Sequence, residues 1–446
     1  MISDSYECTK SELDLFSVPP IQTSIEEGVL IKPHSNFSTG TLRFDIPSTS
    51  SHYINLADTE LYLSVKITKK DALITDTDKI GPVNNFFHSL FSQVEVYLNN
   101  TPVENTNSTY SYRAYFENLL CYNKEAKETF LQTDLFYKDT SGAFEKHEVS
   151  ESAQVLAVTN ANVTIPVKSD SEVNYGYIER RKRFINKTVD MKGRIHCDIF
   201  NINKYMINNV DISLKFTRTK EDFCLFGSST EDYKVLIDNA FLKVRRQTIS
   251  PAVMAAHLLA LEKTTAKYPI KRVVVLPITI PFKTPKTTLT GIYKGIMPKR
   301  VVLGLVSTEA FDGNKGSNPF NFLNFAVTNL CLKVASKALP YSSAFELDFE
   351  NHNYIEAYTS LFQNIREAGN NISYRDYANG NTIYAFDLTP DLCSSEHFSL
   401  LKDGSLDLDI KFKTTPAVST TAIFYLEFDN IIEKDKQRNI LFDYKV

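Results

Sequence analysis

This chain of 446 residues has no tryptophan and no close pair of cysteines. Cys8, Cys121, Cys197, Cys224, Cys331 and Cys393 stand alone, without a CxxC, so a disulfide framework is not expected and a reducing compartment is. Cys121, Cys224 and Cys331 have apolar neighbours, where a free cysteine packs as a small hydrophobe. Histidine is equally dispersed: His34, His52, His88, His147, His196, His257, His352 and His397 are never closer than 18 positions. The His-x-His and His-x-x-x-His spacings that place two imidazoles on one metal are absent. So are the G-x-S-x-G elbow, the G-x-x-x-x-G-K-[ST] phosphate loop and the G-x-G-x-x-G turn. No apolar run approaches the roughly 18 residues of a membrane helix, and the N-terminus lacks the layout of a signal peptide. A basic tail is missing too. The first thirty residues carry Asp4, Glu7, Glu12, Asp14, Glu26 and Glu27 against Lys10 alone, and net charge is −4. Together these absences argue against an enzyme, a metal or cofactor site, a membrane span and sequence-specific nucleic-acid binding.

What is present is sheet. Phe (30) and Tyr (23) bring the aromatics to 12%, residue types that fit half-buried strands. Leu61, Leu63, Val65 and Ile67 alternate with polar neighbours, as do Val163, Ile165 and Val167, and Val210, Ile212, Leu214 and Phe216. The cleanest alternation, Leu406-Asp407-Leu408-Asp409-Ile410-Lys411-Phe412, puts both carboxylates on one wet face. Strands with one wet face predict antiparallel sheets. Helices are expected at 113–121, 124–131 and 354–363, and over 251–263, where Ser250 and Pro251 supply a start. That last segment is apolar except for His257 and is expected to lie buried between two bodies. The one basic run, Arg180-Arg181-Lys182-Arg183, reads as a solvated strand edge or loop. Polar loops are expected near 69–82, 138–158, 168–180, 312–319 and 364–381.

One pattern occurs twice. Leu90 to Pro102 reads as an alternating strand and a polar turn ending in proline, followed by the Tyr-rich segment Tyr112 to Leu120. Val327 to Pro340, followed by Tyr354 to Phe362, repeats it. The prolines are 340 − 102 = 238 positions apart, so the repeating unit is a domain. The fold expected is all-β: two tandem antiparallel jelly-roll sandwiches with a few short helices. The boundaries expected are an arm at 1–27, jelly rolls at 28–247 and 266–434, a linker helix within 248–265 and a tail at 435–446. No catalytic, cofactor-binding or metal-binding residue is assigned.

Gly81-Pro82-Val83-Asn84-Asn85-Phe86-Phe87-His88-Ser89-Leu90-Phe91-Ser92-Gln93-Val94-Glu95-Val96-Tyr97-Leu98-Asn99 resembles a signature of the capsid proteins of Polinton (Maverick) elements and adintoviruses. Tyr112-Arg113-Ala114-Tyr115, Glu221 to Leu225, Leu242 to Arg246, Asn318-Pro319-Phe320-Asn321-Phe322, Tyr384 to Asp391 and Glu427 to Asn430 are similar to the same family, in order. The resemblance implies a double jelly-roll major capsid protein. Three such chains form a pseudo-hexagonal, hexon-like capsomer, and capsomers tile an icosahedral shell around double-stranded DNA. It further implies a virion location after synthesis in the host cytoplasm or nucleus. The expected partners are further copies of the chain and penton or minor capsid proteins. A minor capsid or penton protein and a tandem β-sandwich carbohydrate-binding protein are the alternatives; the internal repeat disfavours the first and the missing export signal the second.

Overall fold

The computed structural model describes residues 23–25, 28–34, 40–147, 173–228, 231–339, 344–363, 369–389 and 403–444. The strand expected at Val163–Val167 and residues 1–22 of the expected arm lie outside these.

Two pairs of facing antiparallel sheets account for most of the chain, as the alternating pattern demanded. In the first unit, His52–Lys69 and Tyr233–Ile249 pair along their length, flanked by Thr23–Ile25, Val29–Ile31, Ala72–Leu73 and Val189–Arg194. Opposite lies a four-stranded sheet in the order Thr41–Ile46, Ile212–Arg218, Phe91–Leu98, Thr101–Asn105. In the second unit, one sheet runs Ala266–Ile280, Thr420–Lys434, Arg300–Ser307, Ile383–Asp387. The other runs Lys286–Ile296, Asp403–Phe412, Val327–Val334, Lys337–Ala338. Such crossed antiparallel orders are those of jelly rolls, so the expected fold class holds.

The repeat is visible atom by atom. Phe91–Leu98 and Val327–Val334 occupy equivalent places, each beside a strand that returns from far along the chain. Each ends in a two-residue turn with both residues at positive φ: Asn99 (48°) and Asn100 (65°), then Ala335 (48°) and Ser336 (66°). That is the conformation of a tight hairpin whose twist matches its strands. Asparagine tolerates it readily; alanine and serine adopt it at some cost. Leu406, Leu408 and Ile410 are fully buried, while Asp407 and Asp409 face outward.

Four expectations are corrected. The basic run is neither edge nor loop: it sits in a helix, Tyr175–Phe184, with Arg180 and Arg181 buried and Lys182 and Arg183 exposed. The apolar helix, Pro251–Leu261, is not buried between bodies. Leu261 alone is buried, Leu259 is 65% exposed, and Ser250 makes no side-chain cap. Residues 440–442, read as tail, add a strand to Thr420–Lys434, and Ile440, Phe442 and Tyr444 pack on the first unit. Part of the expected 364–381 loop is also a short helix, Tyr374–Ala378, closed by a capping box between Ser373 and Asp376.

The helix Tyr110–Leu120 belongs to the first unit by sequence and to the second by packing. Tyr112, Tyr115, Phe116 and Leu119 are part of the hydrophobic cluster of the second unit. Tyr115 stacks on Phe320 at 4.2 Å with the rings 6° from parallel, and Phe116 meets Phe322 at 5.1 Å. Gly304, in the Arg300–Ser307 strand, makes room: a β-carbon there would collide with the Phe322 ring. Truncating a buried aromatic of this size costs about 3–5 kcal/mol. Tyr115→Ala is therefore expected to lower the denaturant midpoint accordingly. Because the lost contact joins the two units, it should also speed proteolysis between residues 250 and 265. Unchanged cleavage beside a lowered midpoint would show that the ring stabilises one unit alone.

Candidate functional site: the seam between the jelly rolls

The seam begins with one arginine on the Tyr110–Leu120 helix. Arg113 is 1% exposed and is surrounded by carboxylates. Its Nη1 donates to Glu104 (2.6 Å), its Nε to Glu117 (2.9 Å) and its Nη2 to Asp198 (2.8 Å). Each acceptor reaches further. Glu104 accepts the Asp198 amide at 2.8 Å, and Glu117 pairs with His196 at 2.5 Å. Asp198 accepts the amide of Val273 in the second unit at 3.1 Å, and the Tyr425 hydroxyl donates to Glu117 at 3.4 Å. One guanidinium thus holds the two jelly rolls through carboxylates of the first.

Charge in this pocket is unequal. Burial alone would lift the Glu117 carboxyl, but Arg113 and His196 hold it down to about 2. Glu104 goes the other way. Burial, with the neighbouring Asp198 charge, pushes it up to about 8 despite Arg113. Asp198 is raised for the same first reason. Three buried carboxylates around one guanidinium therefore retain a proton near neutral pH.

A second group closes the upper seam, and here the basic run finds its role. Arg180 Nη2 donates to Asp139 at 2.7 Å, and its other nitrogens donate to the Tyr137 and Pro82 carbonyls. Asp139 also accepts from Asn318 of the second unit (3.3 Å), and Glu145 accepts from the Asn318 amide and the Asn321 side chain. Lys138 bridges to Asp376 at 2.5 Å. Lys127, almost fully buried, donates to the Leu119 carbonyl and to Asn371. Burial, with Lys138 nearby, lowers its pKa to about 7.

The seam gathers what the sequence scattered. His88 and His196, 196 − 88 = 108 positions apart, meet edge to face at 4.5 Å, and His88 lies 3.5 Å from Asp134. Among the described residues no three His, Cys, Asp or Glu side chains form a group that could hold a metal ion. Asp407 accepts the Gly291 amide, and Asp409 is tied to Thr288 and Lys333, so the paired carboxylates serve their sheet. A cleft of about 320 Å³ lies along the seam, lined by Arg113, Glu117, His196, Arg300, Tyr425 and Glu427. Its charged walls are paired with one another: Arg300 lies 3.7 Å from both Asp387 and Glu427. Tyr112, Arg113, Tyr115, Asn318, Phe320, Asn321 and Phe322, which carry part of the family resemblance, are the residues that build this junction.

Two outcomes follow. Arg113→Leu leaves its three carboxylates buried without a counter-charge and should cost about 3–5 kcal/mol, read from denaturant unfolding. Glu104→Gln should act through pH. In the unfolded chain this carboxyl ionises near 4.5, and in the fold near 8. The stability it contributes is complete below about pH 4.5 and is lost as pH rises toward 8. The variant carries the neutral shape throughout. Its melting temperature should therefore gain on that of the wild type between pH 5 and 8 and gain no more above. A constant gap would place the retained proton elsewhere.

No known protein-family profile matches the chain. An uncharacterized protein of Caenorhabditis elegans is 25% identical over 454 residues, covering 96% of this chain and 99% of its own length. Among solved structures, a chain of the Sputnik virophage superposes with a TM-score of 0.65 at 12% identity, over 98% of this chain and 92% of that one. The Faustovirus major capsid protein gives 0.57 at 10% identity over 95% and 93%, and the mavirus major capsid protein 0.51 at 13% over 99% and 95%. At these identities the likeness is one of architecture, and it extends over nearly the whole molecule: this chain has the double jelly-roll fold of those viral capsid proteins.

Proposed function

We propose that the chain is a major capsid protein, three copies of which make a hexon-like capsomer of an icosahedral shell around double-stranded DNA. One observation carries this reading: two similar jelly rolls locked side by side by a buried seam. A seam of this kind has no use in a pair of independent binding modules, which work as well on a flexible linker. It is needed when the angle between two domains must be constant. Three copies then present six similar corners, and closed cyclic assembly also buries the flanks.

The coverage of the viral capsid proteins over nearly full length supports a major capsid protein over a single-jelly-roll penton. The near-full-length nematode relative suits an element of the Polinton kind, carried in an animal genome, more than a free virus. Penton and minor capsid proteins would be its partners in the shell, and the chain itself would carry out no catalysis. Of the arm expected at residues 1–27, Thr23–Ile25 pairs within the first unit's sheet, and residues 1–22 would reach out and link the capsomer to its neighbours.

Mass measurement and electron microscopy of the purified protein test the proposal. Trimers with six-cornered outlines, or closed shells, are the expected result. Monomers at all concentrations, without shells, would refute it. Deleting residues 1–22, which keeps the Thr23–Ile25 strand in its sheet, is expected to leave trimers intact and to impair shell formation, scored by counting closed particles.

A further inference from the structure

The exposed apolar helix, Pro251–Leu261, stands over a groove. The groove measures about 480 Å³, and Tyr53, Tyr205, Ile249, Val253, Ala260 and Tyr268 are among its walls. Val253 and Leu261 seat the helix on the first unit, and His257 is fixed by the Tyr53 hydroxyl at 2.9 Å. The groove is apolar within and has two lysines, Lys204 and Lys267, on its lining. An apolar trough of this size beside an exposed apolar helix is a surface that an occupant would cover.

The backbone indicates which one. Thr23 is itself part of the groove wall. It pairs with Ile249 in an antiparallel register, Thr23↔Ile249 and Ser24↔Thr248. Traced backward from Thr23, the chain therefore leaves in the direction in which the partner strand leaves toward Ser250 and the helix. The residues that precede Thr23 in the sequence are Leu13-Asp14-Leu15-Phe16-Ser17-Val18-Pro19-Pro20-Ile21-Gln22. They supply five large apolar side chains. Asp14, with Glu12 before it, carries charge opposite in sign to that of Lys204 and Lys267. Pro19 and Pro20 have no amide hydrogen, so they suit an extended strap that crosses a groove without joining a sheet. Reach is ample: ten extended residues span roughly 33 Å, against about 16 Å for an eleven-residue helix.

We propose that the groove beneath the Pro251–Leu261 helix is the seat of this chain's own residues 13–22, held by Leu13, Phe16 and Val18 within and by Glu12 and Asp14 against the lysines. The proposal deepens the arm described above. A seated segment fixes where residues 1–12 leave the molecule and so which neighbour they reach.

The test is a disulfide scan in the full chain. Ala260→Cys, on the groove and exposed, is combined in turn with Leu13→Cys, Phe16→Cys or Val18→Cys, all in a Cys8→Ser background, and oxidised with oxidised glutathione. At least one pair is expected to lose both thiols without doubling the mass on a non-reducing gel. Links found only between chains would overturn the proposal by placing the segment in a neighbour's groove, and no link at any position would overturn it outright. Amide exchange gives a second readout. Residues 13–22 should be protected in the parent and lose at least tenfold protection in Ala260→Glu, with an unchanged melting temperature. Equal protection in both proteins would count against the seat. Neither measurement depends on shell formation. A seat that forms in a protein whose arm deletion still assembles would leave this inference standing and remove the linking role.

Discussion

The fold depends on a single buried arginine. Arg113 is held by Glu104, Glu117 and Asp198, and through them it fixes the helix Tyr110–Leu120 against both jelly rolls. The aromatic face of that helix completes the core of the second unit, so the ionic and apolar parts of the seam are inseparable. A buried ion pair is often no more stabilising than a well-packed apolar substitute. What it adds is direction, since a guanidinium satisfied by three carboxylates permits one geometry. An apolar seam alone would tolerate sliding between the units.

Much of this architecture was legible in the sequence. Period-two alternation at Leu406–Phe412 and Leu61–Ile67 marked strands because one face of each is buried and the other wet. The repeat was readable because its hairpin must turn in two residues wherever it occurs. The basic run was misread for a physical reason. Four consecutive cations look solvated, yet on a helix successive residues point about 100° apart, so two face inward and two outward. Arg180 and Arg181 are tolerated inside because Asp139 and the carbonyls of Pro82, Tyr137, Asp76 and Asp78 receive them. Those acceptors are 41 to 105 positions away, beyond any local pattern.

The helix Pro251–Leu261 shows the opposite limit. Its composition demanded burial, and in the single chain most of it is exposed. Hydrophobicity reports that a surface must be covered, not what covers it. The seam was hidden for a related reason. His88, Glu104, Arg113, Glu117, His196 and Asp198 look unrelated in the sequence, because the fold closes a separation of up to 198 − 88 = 110 positions between them. The segment Tyr112-Arg113-Ala114-Tyr115 was read for its family resemblance, and nothing local to it marks a seam.

The borrowed helix also sets an order of events. The strands of the first jelly roll are complete at Ile249, yet Tyr112, Tyr115 and Phe116, beside nearer partners such as Phe223 and Phe136, also pack on Phe320, Phe322 and Tyr425. During synthesis the first half therefore displays an unsatisfied aromatic face while 320 − 249 = 71 further residues are made, an interval on the order of ten seconds at cellular rates. Every nascent chain passes through this interval. The same contact that joins the two units in the finished molecule leaves apolar surface open in the unfinished one, where it favours association with other chains.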